Sequence, residues 1–80
     1  MTVRLVFLGK LADLAGVSTR EMEGPLDWSG LLDSLAPELS EAAQDERTKI
    51  AVDGAVLADK TRLFAPDGAE IALLPPVSGG

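Results

Sequence analysis

Neither cysteine nor histidine occurs among the 80 residues. Their absence removes thiol nucleophiles, imidazole general bases and the usual zinc ligands together. Side-chain catalysis and a resident metal are therefore not expected, and the missing cysteine mildly favours a cytoplasmic location. Basic residues are also scarce: 7 Lys and Arg stand against 13 Asp and Glu, a net charge of -6. Nucleic acid is excluded as a natural partner, because phosphate binding needs clustered Lys and Arg; a basic protein surface fits better. No apolar run approaches the ~18 residues of a membrane span, and Met1-Thr2-Val3-Arg4 does not resemble a signal peptide, so no membrane role is expected.

What is present is a globular composition, 46% apolar and 25% charged. Eighty residues suffice for one small domain, residues 1–80, with 75–80 as a protruding tail, near the size at which one hydrophobic core is just adequate without disulfides or metal.

The chain opens on Val3-Arg4-Leu5-Val6-Phe7-Leu8, whose alternation puts Val3, Leu5 and Phe7 on one face of a strand and Arg4, Val6 and Leu8 on the other. Lys10 to Ala15 predicts a short helical turn stopped at Gly16. Ser18 to Glu23 reads as a polar, edge-like strand. Trp28, Leu31, Leu32 and Leu35 recur at i, i+3, i+4 and i+7, one stripe of a helix with Asp27 as N-cap. Pro37 ends that run and suits the first turn of another, shallower surface helix containing Leu39, Ala42 and Ala43. Asp53-Gly54 between Ile50-Ala51-Val52 and Ala55-Val56-Leu57 is a hairpin signal. After the turn sequence Pro66-Asp67-Gly68, Ala69 to Leu74 forms the last strand. This order predicts an α+β roll, one main helix packed across a mixed sheet.

In the last strand Glu70 marks one face as solvent-side, with Ala72 and Leu74 beside it. If the first and last strands are neighbours, Val6, Leu8 and Leu74 form an outward apolar patch of the kind that marks protein interfaces. Pro75-Pro76 fixes two φ angles and removes two backbone donors, so the sheet cannot continue and the chain leaves it as a stiff spacer. Val77, Ser78, Gly79 and Gly80 follow, and ordering them costs roughly 1 to 2 kcal/mol each, which predicts mobility until a partner's groove holds them. Chance alone gives a terminal glycine pair in roughly one chain in 200, so its meaning rests on what precedes it. Glycine lacks a Cβ, so Gly79-Gly80 can thread a narrow channel and leave the Gly80 acyl carbon open to attack. A carboxylate needs activation before it becomes an electrophile, and neither a GxxxxGK[ST] nor a GxGxxG loop is present, so another protein must supply the ATP site. Paired acids such as Glu21 and Glu23, or Asp45 and Glu46, read as solvated surface charge.

The ending Leu74-Pro75-Pro76-Val77-Ser78-Gly79-Gly80, the turn Asp67-Gly68, the hairpin Val52-Asp53-Gly54 and the opening Val3 to Gly16 resemble the small, sulfur-carrying subunit of molybdopterin synthase, within the MoaD/ThiS family of sulfur carriers. The resemblance is most specific at the two ends. It implies a β-grasp, ubiquitin-like fold and a protein that is not an enzyme on its own, binds no cofactor itself, and has Gly80 adenylated by an ATP-using partner. A sulfur donor protein would convert the adduct to a thiocarboxylate. The tail would then enter the large catalytic subunit of a heterotetramer, where sulfur passes to a pyranopterin precursor of the molybdenum cofactor. Leu8, Leu74, Pro75, Pro76, Val77 and Ser78 would be the partner-binding residues. Leu74 and Leu8 stand where the family often has aromatics, Ala12 where an Arg is common and Ala69 where an acid is common. Alternatives are a carrier for thiamine or cysteine synthesis, disfavoured by length and Pro75-Pro76, and a protein modifier joined to target lysines.

Overall fold

The computed structural model describes residues 1–76. Its elements run β1 (Thr2–Phe7), α1 (Lys10–Ala15), β2 (Thr19–Glu23), β3 (Leu26–Asp27), α2 (Trp28–Ser34), α3 (Pro37–Gln44), β4 (Lys49–Val52), β5 (Ala55–Val56), a 3₁₀ turn (Lys60–Arg62), β6 (Phe64–Ala65) and β7 (Glu70–Leu74). Five strands form one mixed sheet in the order β2-β1-β7-β4-β5. The central pair, β1 and β7, is parallel, with Arg4 opposite Glu70 and Phe7 opposite Leu73. β2 pairs with β1, β4 with β7 and β5 with β4, all antiparallel. The first and last strands are thus neighbours at the middle of the sheet, which meets the condition set for an outward patch, and the polar strand β2 is an edge, as its composition predicts.

Alternation then decides the layers. Val3, Leu5 and Phe7 of β1 and Ile71 and Leu73 of β7 are almost wholly buried beneath the helices with Ile50 of β4. Each such side chain contributes roughly 1.5 to 3 kcal/mol. Leu11 of α1, Leu31 of α2 and Leu39 and Ala43 of α3 close this core from the helical side. α3 is therefore not the shallow segment its acidic composition predicts: Leu39 and Ala43, four residues apart, share a stripe that enters the core, and their small or single bulk disguises it. Trp28 and Leu32 of α2 are only partly buried at the core's margin.

Local chemistry sets the boundaries. Asp27 caps α2 by accepting the Gly30 N–H at 2.8 Å. Pro37 opens α3 and Gly16 closes α1 in the left-handed conformation. The hairpin turn places Asp53 at φ 50 and Gly54 at φ 87, two successive positive angles that suit the twist of the flanking strands. A Cβ at Gly54 would meet open space, so Gly54→Ala is strained by its φ alone. Thermal unfolding is expected to show a loss of about 1 to 2 kcal/mol, read as about 4 to 8 °C in Tm per kcal/mol.

The stretch from Lys60 to Phe64 is more than a connection. β6 pairs with β3, Leu26 opposite Ala65 and Asp27 opposite Phe64, in a second two-stranded sheet. Lys60 ties this region down: its Nζ donates to the carbonyl oxygens of Asp45 and Thr48, the latter at 2.8 Å, and lies 6.0 Å from the Trp28 ring centroid. Burial pushes the Lys60 ammonium below its ordinary pKa, opposed by the nearby Asp45 charge.

Candidate functional site

The register assigns every strand residue to a face, and the face turned away from the helices carries the candidate site. A transverse row runs Thr19, Val6, Ala72, Ala51, Val56 from edge to edge. The next row toward the end of β7 holds Leu74 and, opposite it on β4, Lys49. Leu8 lies just past β1 and donates its N–H to the Leu73 carbonyl at 3.3 Å, so it extends the β1–β7 pairing by one residue. Val6, Ala72, Ala51, Val56, Leu74 and Leu8 form an apolar band across the outer face, bordered by Thr19 and Lys49, with Leu8 41% and Val56 57% exposed.

The expected patch is present with a different weighting. Leu8 is exposed, but Leu74 and Val6 are half-buried, because both sit on central strands with neighbours on either side. Ala72 lies beside Leu74, as the alternation of the last strand predicts. Val56 and Lys49 belong to the same surface with no signal in the linear sequence, since only the β4–β7 and β4–β5 registers bring them there, with Ala51 nearly buried between. Phe64, 62% exposed, lies on β6, outside this five-stranded sheet.

Pro75 and Pro76 follow β7 directly and are half-buried. A Cβ at Gly9 would stand 3.2 Å from the Pro75 Cγ, and Gly9 has a φ of +54, so a glycine is needed for the chain to leave the sheet against this turn. On the other side Glu46, Arg47, Lys49, Pro75 and Pro76 line an open cleft. The departure point is thereby fixed between Gly9 and Lys49, at one border of the apolar band. Val77, Ser78, Gly79 and Gly80, and the mobility expected of them, lie outside the described residues.

Electrostatics around the site are modest. Arg47 donates to Asp45 through its backbone N–H at 2.8 Å and its guanidinium at 3.1 and 3.2 Å, which holds the Asp45 carboxyl at a pKa of about 2. This is the single ion pair within 4 Å among the described residues, and both partners are substantially solvated. Glu21, Glu23 and Glu46 are exposed, as expected of surface charge. Among the described residues no group of three or more His, Cys, Asp or Glu could hold a metal ion, and no helix is long and apolar enough to cross a membrane. Ala12 is half-buried against the core and Ala69 is buried in it, so an acid at 69 would lose solvent that the alanine does not need.

A mixed sheet with a parallel central pair, helices on one face and the other face leading to the chain's exit is the β-grasp arrangement of ubiquitin-like proteins. The model of the ThiS family matches residues 5–80, and the chain belongs to that family of sulfur carriers. Among solved structures it is similar to the small archaeal modifier protein SAMP1 of Haloferax volcanii, at 26% identity over 100% of both chains with a TM-score of 0.72. Small archaeal modifier protein 1 of Methanosarcina acetivorans is 24% identical, with 99% of this chain and 96% of that one covered and a TM-score of 0.78. A chain from the complex of subunits 1 and 2 of molybdopterin-converting factor of Helicobacter pylori is 24% identical over 100% of both, with a TM-score of 0.67. Among curated proteins none matches the chain.

Proposed function

We propose that this protein carries sulfur as a thiocarboxylate on Gly80 for molybdenum cofactor biosynthesis. The observation that carries the reading is the family match, which extends through Gly79-Gly80 to residue 80. An adenylating partner joins AMP to the Gly80 carboxylate with release of pyrophosphate from ATP. A sulfur donor protein then displaces AMP and leaves sulfur in place of one carboxylate oxygen. The large synthase subunit receives the tail and transfers that sulfur to a pyranopterin precursor, in a cytoplasmic heterotetramer. This chain's part is positional. The apolar band with Leu8 and Leu74 docks the partner, Pro75 and Pro76 aim the tail, and Val77, Ser78 and Gly79 span the channel to the reacting carbon.

The test is intact mass after incubation with the adenylating enzyme, ATP and a sulfur donor. The expected product differs by one oxygen replaced by sulfur, and fragmentation places the change at Gly80. A second reading, a protein modifier, is favoured by the 26% identity to a protein whose name is a modifier's. It predicts a different product from the same adenylate, an amide between Gly80 and a lysine of another protein, with no retained sulfur.

A further inference from the structure

The outer face is not evenly polar around its apolar band. At the border away from the tail, Arg4 of β1 is flanked in register by Glu21 of β2 and Glu70 of β7. Glu23 lies further along β2 opposite Thr2. The Asp53 Oδ1 accepts the Glu70 N–H at 2.9 Å, bringing a fourth carboxylate to this border. Arg4 makes no ion pair within 4 Å among the described residues, so these carboxylates are not committed to it. Thr2, Arg4, Glu21, Gly68, Ala69 and Glu70 enclose an open cleft of about 230 Å³ there, floored partly by residues without bulk. At the opposite border Lys49 stands beside Leu74 on the sheet itself, with Glu46 across the neighbouring cleft and Arg47 held by Asp45.

We propose that this polarity orients the adenylating partner on the chain: its docking surface carries basic side chains facing Glu21 and Glu70 and a carboxylate facing Lys49, at the mouth of the groove that takes the tail. The inference rests on the reading that a partner covers this face and receives the tail. From Arg4 to Leu8 is four strand residues, about 13 Å. That exceeds the Debye length of about 10 Å at 0.1 M ionic strength, so the two borders are felt separately and a partner turned end for end meets like charge at both. An apolar band alone is tolerant of rotation; charged borders select the one orientation in which the tail points into the groove. The net charge of the whole chain cannot do this, because the carboxylates of α3 lie on the helical side, away from the sheet's outer face.

The probe is the purified adenylating enzyme from the same organism, which both the sulfur-carrier and the modifier reading require, binding the full-length chain. Association and dissociation rates are measured at low and high salt. The double variant Glu21→Lys with Glu70→Lys is expected to associate about tenfold more slowly at low salt, with little change in dissociation and with the difference vanishing at high salt. Lys49→Glu is expected to slow association in the same sense. Glu38→Lys with Glu41→Lys on α3 changes the net charge by the same amount as the first pair and is expected to leave the rate nearly unchanged. Equal slowing by both pairs reduces the effect to overall charge and overturns the proposal, as does no slowing by the outer-face pair. Leu74→Asp and a chain lacking Gly80, run beside them, separate failure of this proposal from failure of the docking reading it rests on. If neither disturbs binding or adenylation, the docking face and tail are themselves misassigned; if they act and the charge variants do not, only the orienting role fails.

Discussion

Deleting Gly80 is expected to abolish sulfur loading and to leave the folded domain intact. The shortened chain still ends in a glycine carboxylate, so its chemistry is unchanged, but the reacting carbon is withdrawn by one residue, about 3.3 to 3.6 Å. A misplacement of 1 Å can cost about 100-fold in rate, so a retreat of several times that size removes the reaction. Core residues Val3 to Leu73 are untouched, and thermal unfolding is expected to match the parent within error. The checks are intact mass after incubation with adenylating enzyme, ATP and sulfur donor, and molybdoenzyme activity in the host. Retained molybdoenzyme activity would overturn the carrier function. Gly80→Ala refines the result: it keeps the reach and adds one Cβ, so partial loading separates the length of the tail from the width of the channel that receives it.

Much of this architecture is legible in the sequence because the strands that matter most alternate strongly. Val3, Leu5 and Phe7 against Arg4 and Val6, and Ile71 and Leu73 against Glu70 and Ala72, each declare a buried face. Asp53-Gly54 declares its turn because both residues tolerate the positive φ that this two-residue hairpin uses. The β3–β6 pair is silent by comparison, since two-residue strands have no period to detect and Leu26 and Ala65 meet only through tertiary contact. α3 misleads for another reason: Ala43 is wholly buried, yet alanine carries little hydrophobic signal. The candidate functional face falls between these cases. Leu8 and Leu74 can be assigned outward from their own strands, but Lys49 and Val56 join them only through a register between segments about twenty residues apart. Such a register is fixed by the packing of the whole sheet and not by local propensity.

The topology gives the apolar band its relation to the tail. β7 is bonded to β1 on one side and β4 on the other, so the strand that ends in the prolines is held at the sheet's centre. Each residue of β7 is therefore committed to one face by two ladders at once. Core stability and the proposed partner contact run along the same five residues, on opposite sides, and only their parity separates the two roles.

Leu73 and Leu74 expose that separation. Leu73 is wholly buried on the helical face, and Leu73→Ala is expected to cost about 2 to 5 kcal/mol. For a domain of this length, at about 0.05 to 0.15 kcal/mol per residue, that is a large share of the total stability, and urea unfolding should shift to a far lower midpoint. Leu74, one residue on, is half-buried on the outer face opposite Lys49. Leu74→Asp places a carboxylate across from an ammonium, a cross-strand pair that contributes roughly 0.2 to 1 kcal/mol and offsets part of the lost apolar contact. Its unfolding midpoint should stay close to the parent's. Binding behaves in the reverse order. Burial of Leu74 by a partner is worth roughly 1.5 to 3 kcal/mol, and stripping water from the new carboxylate adds to the loss. At 1.4 kcal/mol per tenfold, the affinity for the adenylating enzyme is expected to fall on the order of 100-fold. Leu73→Ala, measured where it is still folded, should bind nearly as the parent does. If the Leu74 variant instead unfolds like the Leu73 variant and binds normally when folded, the parity of β7 is wrong, and with it the docking face.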